Sequence, residues 1–375
     1  MAKKAPPKPR KPVEAEAERP APRGPVPGRL DDLIGQDRAV STLRTAVAAG
    51  RLHHAWIFAG PLGVGKFTGA LAFARELLTP VREPEGEAAR LLAAGLHPDL
   101  HIVVKELSVV SRDENTRKQL QTNIPLHVVR EFLTEPAGRT RALTSDSAAA
   151  KVFIVDEADM MAREGQNTLL KTLEEPPPGT VIILVTPSEH ELYPTIRSRC
   201  QRVPFIPLDD GAFARWLGSG SAPAGGTLDA EDREFLDRFA GGAPGVAEVA
   251  LRTGIVGWRA VLAPMLSGAE GGRYTPRFST VAGELIGDWA EARVKENPRA
   301  SKDAANRAGA RWMFRLLGDH CRARLRAARD ARATSAALDA IRAVDDAERH
   351  ADASVNFGFV MENFAAQLVA IGVRR

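Results

Sequence analysis

A glycine-rich loop between an apolar run and a helical segment constrains this 375-residue chain more than any other feature. The run Ala55–Ala59 is followed by GPLGVGKFT, Gly60 to Thr68, which nearly satisfies the phosphate-loop pattern G-x-x-x-x-G-K-[ST]. Glycines allow backbone N–H groups to face a polyphosphate, and Lys66 brings a positive charge beside its outer phosphates. The sequence therefore predicts a strand, a phosphate-binding turn and a helix, in that order.

The loop departs from the pattern at one position. Phe67 stands where the pattern has a hydroxyl, which is the protein's ligand to the magnesium ion that bridges the outer phosphates. Thr68 is turned about 100° around the helix axis, so we do not expect its hydroxyl to replace the missing one. Phe67 instead begins a predicted apolar stripe along the helix. The stripe continues through Ala70, Leu71, Ala74 and Leu78.

Five short apolar runs alternate with helical segments over residues 30–207. Runs that are apolar on both faces and alternate with helices indicate a parallel sheet covered on both sides. The runs are Ala55–Ala59, His101–Val104, Lys151–Val155, Thr180–Thr186 and Arg202–Ile206. The predicted fold class is therefore α/β, a phosphate-loop domain built on a five-stranded parallel sheet.

Composition divides the rest of the chain. Residues 1–30 hold eight Lys/Arg, three Glu and eight Pro, a mixture that cannot bury a core. We expect a disordered tail over 1–29, either a solubilising extension or a segment that touches nucleic acid non-specifically. A small helical lid domain is predicted over 208–255, with a break at 218–226. A helical bundle with a Gly/Pro/Arg-rich interruption at 264–277 is predicted over 256–375.

Cysteine content and the N-terminal sequence bear on the cellular compartment. The two cysteines, Cys200 and Cys321, support neither a disulfide framework nor a four-cysteine zinc site. The N-terminal segment has no apolar region of the kind that directs export. We expect a cytoplasmic protein that does not span a membrane.

A second motif, KVFIVDEAD, brings two carboxylates to the end of an apolar strand. Asp156 and Glu157 fall at the carboxyl edge of the predicted sheet, where open α/β sheets bind ligands. In a nucleotide hydrolase the first carboxylate organises magnesium and the second polarises the attacking water. An acidic helix start would give the same pair. The glycine loop at this spacing favours the nucleotide interpretation.

A third element, TIRSRC, places Arg199 on a loop before the fifth strand. A guanidinium offered to a neighbour's phosphates stabilises charge in the transition state, and its planar shape suits that role. By composition alone, a lone arginine on a loop such as Arg199 is more often a solvated surface residue or part of an ion pair.

Three segments together resemble the clamp-loader branch of the AAA+ ATPases. They are LHHAWIFAGPLGVGKFT, LLKTLEEPPPGTVIILVT and TIRSRCQ, and the LLKTLEEPP run followed by SRC is specific to bacterial clamp-loader subunits. GLHPDLHIV at 95–103 and IPLHVVREF at 124–132 add to the resemblance. It is strongest over residues 31–210, weaker in the lid and weakest in the bundle.

The resemblance implies roles for particular residues. Lys66 would bind nucleotide phosphates, Asp156 would hold magnesium, and Glu157 would be the water-polarising carboxylate. Arg199 would be an arginine finger that acts on the adjacent ATPase subunit. The full set of candidate nucleotide-binding residues is Gly60, Gly63, Gly65, Lys66, Thr68, Asp156 and Thr186, the last near the sensor at the end of the fourth strand.

Three departures from the family pattern qualify these roles. Phe67 removes the magnesium hydroxyl, and Val246 lies near the place where active relatives carry a phosphate-sensing arginine. The family's small zinc module normally precedes the HPDL segment, but Thr79–Gly95 contains no cysteine. We expect ATP and magnesium to bind weakly at most, and no zinc site.

These observations leave three hypotheses. The first is a non-motor clamp-loader subunit, whose Arg199 completes a neighbour's site in a hetero-oligomeric ring with gamma/tau-type and delta-type subunits. Such a ring would act on the sliding clamp and primed DNA as a complex. The second is a motor ATPase of the same loader, and the third is an AAA+ helicase or remodeller unrelated to replication.

One further stretch, Arg307–Arg332, is rich in arginine. It is either a DNA contact or a solvated helix face.

Overall fold

The computed structural model describes residues 28–50, 52–143, 147–219, 228–297, 300–353 and 355–373. The predicted tail over 1–29 therefore lies almost wholly outside the described residues, as does most of the predicted break at 218–226.

Five parallel strands form one sheet in the order β2-β3-β4-β1-β5, which confirms the predicted fold class. The strands are β1 (Ala55–Ala59), β2 (Leu100–Val103), β3 (Lys151–Val155), β4 (Thr180–Thr186) and β5 (Gln201–Pro204). β5 ends two residues before the predicted Ile206. The Ile206 N–H donates to the Gln36 side chain at 3.2 Å instead of continuing the ladder, because the neighbouring strand β1 has already ended.

Among the described residues, eight α-helices accompany the sheet. They are α1 (Asp37–Ala48), α2 (Lys66–Leu78), α3 (Glu87–Ala93), α4 (Glu114–Lys118), α5 (Leu126–Val129), α6 (Glu135–Ala137), α7 (Arg163–Glu174) and α8 (Pro194–Arg197). Side chains of β1 alternate between two cores, with Trp56 and Phe58 in one and Ile57 in the other. The predicted stripe of α2 is buried on the first core, and Phe67 is half-buried where it packs there.

Further α-helices follow the sheet in the described ranges. They are α9 (Asp210–Gly218), α10 (Ala230–Ala240), α11 (Pro244–Arg252), α12 (Ile255–Glu270), α13 (Phe278–Glu296), α14 (Lys302–Ala327), α15 (Ala331–Asp352) and α16 (Phe357–Val373). The core that covers one face of the sheet continues through α9–α11 into the last five helices. The sheet, the lid helices and the bundle therefore share one apolar interior.

One detail of the helical region differs from the predictions. Helix α12 runs through Pro264, so the predicted interruption begins only after Glu270. The carbonyl that loses its partner there belongs to Ala260, which is exposed and can be hydrated. In the last two helices, Leu338 and Phe359 are 41% and 69% exposed on this chain. Small residues such as Ala340 and Ala343 form the buried face of α15.

Within the described ranges no single helix is long and apolar enough to cross a membrane; only the bent pair α11–α12, with 79° between its helices, meets the criteria of length and composition.

Candidate nucleotide-type site and arginine finger

Backbone geometry at the end of β1 requires the glycines of the phosphate loop. Gly60, Gly63 and Gly65 have φ angles of 151°, 79° and 95°, a region that other residues rarely adopt. A Cβ on Gly60 would lie 2.0 Å from the carbonyl oxygen of Phe205, so the loop also passes close to the chain that follows β5. The loop then enters α2 at Lys66, as the motif predicts.

The Lys66 ammonium is held by the loop itself. Its Nζ donates to the carbonyl oxygens of Gly60 at 2.7 Å and Pro61 at 2.6 Å, and the residue is only 6% exposed. Burial lowers the pKa of Lys66 to about 8, although the negative charges of Asp156 and Asp159 oppose the change. The lysine thus lies within the loop, and the Asp156 carboxylate expected from the sequence is close enough to influence its charge.

The first turn of α11 contacts the tip of the phosphate loop. The Gly245 N–H donates to the Gly63 carbonyl oxygen at 2.8 Å. A Cβ on Gly63 would lie 2.7 Å from the Val246 nitrogen, so no gap separates the two backbones here. Val246 is buried, and its side chain is apolar. The sequence motifs do not predict this contact between Gly245 and Gly63.

The carboxylate pair lies at the end of β3, where the sequence predicts it. Glu157 has a φ of 52°, an unusual conformation for a residue other than glycine, and its N–H donates to Asp156 Oδ1 at 3.0 Å. Its carboxylate pairs with Lys105, with 2.8 Å between Oε2 and Nζ. Sequence analysis missed Lys105, which follows β2. The two residues come together because β2 and β3 are neighbours in the sheet, and only the strand order reveals this.

Thr186 ends β4 and is completely buried. Its hydroxyl lies 3.1 Å from Asp159 Oδ1 and 2.8 Å from the Ser188 carbonyl oxygen, and accepts from the Ser188 N–H at 3.1 Å. Burial raises the pKa of Asp159. The Thr186 hydroxyl therefore has partners within its own chain, and one of them, Asp159, was not singled out by the motifs.

Arg199 lies near the amino-terminal ends of the strands, whereas the phosphate loop lies at their carboxyl-terminal ends. β5 runs parallel to β1, with Trp56 opposite Gln201 and Ala59 opposite Pro204. Arg199 precedes β5, whereas the loop follows β1, so the length of the strands separates the two sites. At about 3.3 Å per residue, four paired residues place them more than 10 Å apart. The fold does not bring Arg199 together with Lys66, Asp156 and Glu157.

The Arg199 guanidinium is half-exposed and has two partners on this chain. Nη2 lies 2.8 Å from Glu174 Oε1, and Nη1 donates to the Thr195 carbonyl oxygen at 3.0 Å. The side chain of Arg199 is 36% exposed, so part of it is open to solvent.

Other residues with metal-binding or nucleophilic side chains have structural roles. His53 and His54 stack at 4.6 Å, and the ring nitrogens contact backbone carbonyl oxygens. Burial raises the pKa of the Cys200 and Cys321 thiols to about 12. In the part of the chain that the structure describes, no three His, Cys, Asp or Glu residues are grouped in a way that could hold a metal ion.

Comparison with known proteins gives the family. Residues 35–209 match the family described as DNA polymerase III, delta subunit. This match spans just under half of the chain and, together with the relatives below, supports a place in the DNA polymerase III clamp-loader family. It is 33% identical over 183 residues to the DNA polymerase III subunit delta' of Bacillus subtilis, covering 48% of this chain and 50% of the relative. It is 31% identical over 223 residues to the subunit gamma/tau of Mycobacterium tuberculosis, covering 58% of this chain and 36% of the relative.

Solved structures that match this chain include two from Thermotoga maritima. A DNA polymerase III gamma subunit-related protein has a TM-score of 0.38 at 16% identity, covering 88% of this chain and 99% of the other. A mutant of RuvB has a TM-score of 0.39 at 16% identity, covering 63% and 67%. The chain spans between about a quarter and just over a half of the length of the curated relatives it matches.

Proposed function

We propose that this chain is the non-motor, delta-prime-type subunit of a bacterial DNA polymerase III clamp loader, and that Arg199 completes the nucleotide site of a neighbouring ATPase subunit. The observation that carries the proposal is the position of Arg199. It precedes β5, whereas the chain's own phosphate loop follows the parallel strand β1, so Arg199 lies beyond reach of that loop, and its side chain is partly exposed. An arginine finger must point to a neighbour in this way.

The mechanism we propose is electrostatic completion in trans. When a neighbour hydrolyses ATP, negative charge spreads over the oxygens of the transferred phosphoryl group. A guanidinium fixed beside those oxygens stabilises the charge without having to reorganise at the moment of reaction. In this proposal the sheet acts as the rigid support of Arg199.

The chain's own site fits a magnesium nucleotide poorly. Lys66 and Asp156 are suited to phosphate and metal, but Phe67 supplies no hydroxyl. The Gly245–Gly63 contact covers the tip of the loop, and Lys105 pairs with the carboxylate that would polarise water. We therefore propose that ATP and magnesium bind weakly here and that the chain does not hydrolyse ATP by itself.

Partners in this proposal are the other subunits of the loader, of gamma/tau and delta type, in a hetero-oligomeric ring. The C-terminal helices α12–α16 would join a collar with the equivalent helices of those subunits. The ring would load the sliding clamp on primed DNA. The match of residues 35–209 to the DNA polymerase III delta-subunit family and the similarity to delta-prime and gamma/tau subunits support this assignment.

A motor subunit of the gamma/tau type is the second candidate. It is favoured by Lys66, by the Asp156–Glu157 pair, and by similarity to gamma/tau subunits over 58% of the chain. Phe67, the buried Val246 and the covered loop tip oppose it.

Hydrolysis measurements in the reconstituted complex separate the two candidates. We expect Arg199→Ala to lower ATP turnover by the complex at least 10³-fold at the neighbouring site, the scale of other arginine fingers, roughly 10³–10⁵. Lys66→Ala should leave turnover by the complex unchanged, and the isolated chain should show no turnover. A matched control is Arg202→Ala, which removes another half-exposed arginine near the same edge of the sheet.

Robust turnover by the isolated chain that disappears with Lys66→Ala would overturn the non-motor assignment. An Arg199→Ala complex as active as the Arg202→Ala complex would overturn the arginine-finger role. Because each variant tests one half of the proposal, the two halves can fail separately.

A further inference from the structure

We infer that Glu174 is the positioning residue for Arg199, holding its guanidinium in the orientation that meets the neighbour's phosphates. The inference rests on the proposed function of Arg199 and adds a second residue to it. Glu174 is the last residue of α7, within the LLKTLEEPP run, and its carboxylate is an acceptor in contact with the guanidinium.

Two contacts at different nitrogens fix the plane of the guanidinium. Glu174 Oε1 lies 2.8 Å from Nη2, and the Thr195 carbonyl oxygen accepts from Nη1 at 3.0 Å. A guanidinium carries five N–H donors in a rigid plane, so these contacts restrict its rotation and still leave donors for phosphate oxygens.

Buried anchors hold both residues in place. The ring of His54 contacts the Leu173 carbonyl oxygen at 3.0 Å, which ties the end of α7 to the start of β1, and Leu173 is buried. The Arg199 N–H donates to the carbonyl oxygen of Ile196, which is completely buried. A half-exposed pair on such supports is more precise than a pair on a loose loop.

The other two arginines of this segment have different partners. Arg197 Nη1 lies 3.3 Å from His190 Nδ1, and Arg202 Nη1 lies 3.0 Å from Glu189 Oε1. Glu174 therefore orients Arg199 alone among the three, which makes its effect separable from general surface charge.

The expected effect is on the rate of the chemical step. Because Glu174 already holds the Arg199 side chain in place, Arg199 loses less conformational entropy when it meets phosphate. The neighbour binds ATP through its own residues, so Glu174 should not affect ATP binding. An exposed ion pair contributes modestly, so removal of Glu174 should lower kcat of the complex about twofold to fivefold. The KM for ATP should stay unchanged.

The test uses four variants of this chain in the reconstituted complex. We expect Glu174→Ala to lower kcat as stated, and Glu174→Gln, which keeps an acceptor oxygen, to retain at least half of the original kcat. Glu175→Ala is the matched control, because Glu175 is exposed and adjacent but forms none of the ion pairs among the described residues. In the double variant Arg199→Ala/Glu174→Ala, loss of Glu174 should have no additional effect.

An unchanged or raised kcat in Glu174→Ala would overturn the positioning role, as would an additional loss in the Arg199→Ala background. If Arg199→Ala abolishes turnover while Glu174→Ala matches Glu175→Ala, the proposed function stands and only this inference fails. If Arg199→Ala itself has no effect, both fail.

Discussion

At the scale of single residues, Lys66 shows how a phosphate-loop lysine behaves when its partners are carbonyl oxygens. Two carbonyls compensate a buried ammonium only in part, so burial lowers its pKa to about 8. The uncharged form is then favoured in the folded protein at a pH where an exposed lysine remains charged. This difference makes the stability of the fold depend on pH.

The pH dependence has a definite sign. Between about pH 8 and the ordinary lysine pKa of 10.5, the unfolded chain binds more protons at Lys66 than the folded chain does. The free energy of unfolding should therefore rise with pH in that window, and Lys66→Met should reduce the rise. Urea denaturation at pH 7.5, 8.5 and 9.5 measures it. The exposed Lys118→Met is the control; equal slopes in both variants would contradict the prediction.

At the scale of elements, the strands were predictable and the contacts between their ends were not. The central strands are apolar on both faces because helices cover both sides, so their runs stand out in the sequence. Lys105 and Glu157 meet only because β2 lies beside β3, and a single sequence does not give the strand order. The same holds for Glu174 and Arg199, which lie on separate elements.

The contact between the lid and the loop is a second element-scale feature that the motifs did not reveal. A Cβ on Gly245 would lie 2.9 Å from the Gly63 Cα, so the first turn of α11 and the loop tip must move apart in Gly245→Ala. Overpacking of this kind typically costs about 1–3 kcal/mol. The expected result is a fall of that size in the free energy of unfolding, with faster exchange of the residue 245 amide.

Gly257→Ala is the matched control for that change. Gly257 lies in α12, and a Cβ added to it would have nothing within 4 Å, so the substitution should stabilise the protein by up to about 1 kcal/mol through helix propensity. If Gly245→Ala lowered the free energy of unfolding no more than Gly257→Ala does in urea denaturation, the loop and the first turn of α11 would not be in contact in solution.

At the scale of the whole molecule, a continuous apolar core connects the sheet, the lid helices and the bundle. A polar clamp adds to it where α14 meets the end of α10. Arg315 donates from Nε to the Phe239 carbonyl oxygen at 2.8 Å and from Nη2 to the Ala240 carbonyl oxygen at 3.0 Å. Its guanidinium also lies over the Phe239 ring, 5.4 Å from the centroid. The cation thus caps the carbonyl end of α10, where the helix dipole favours positive charge.

Replacement of this clamp should loosen α10 from the bundle without unfolding the bundle. Arg315→Lys keeps the charge but loses the planar pair of donors, and a hydrogen bond from a charged group contributes about 1.5–3 kcal/mol. Amide hydrogen exchange in α10 should therefore accelerate about 10-fold to 100-fold, while α15 keeps its protection. The exposed Arg311→Lys, one turn earlier on α14, should change neither helix. Unchanged exchange in α10 would mean that the apolar core alone joins lid and bundle; equal acceleration in α15 would mean that the clamp supports the bundle as a whole.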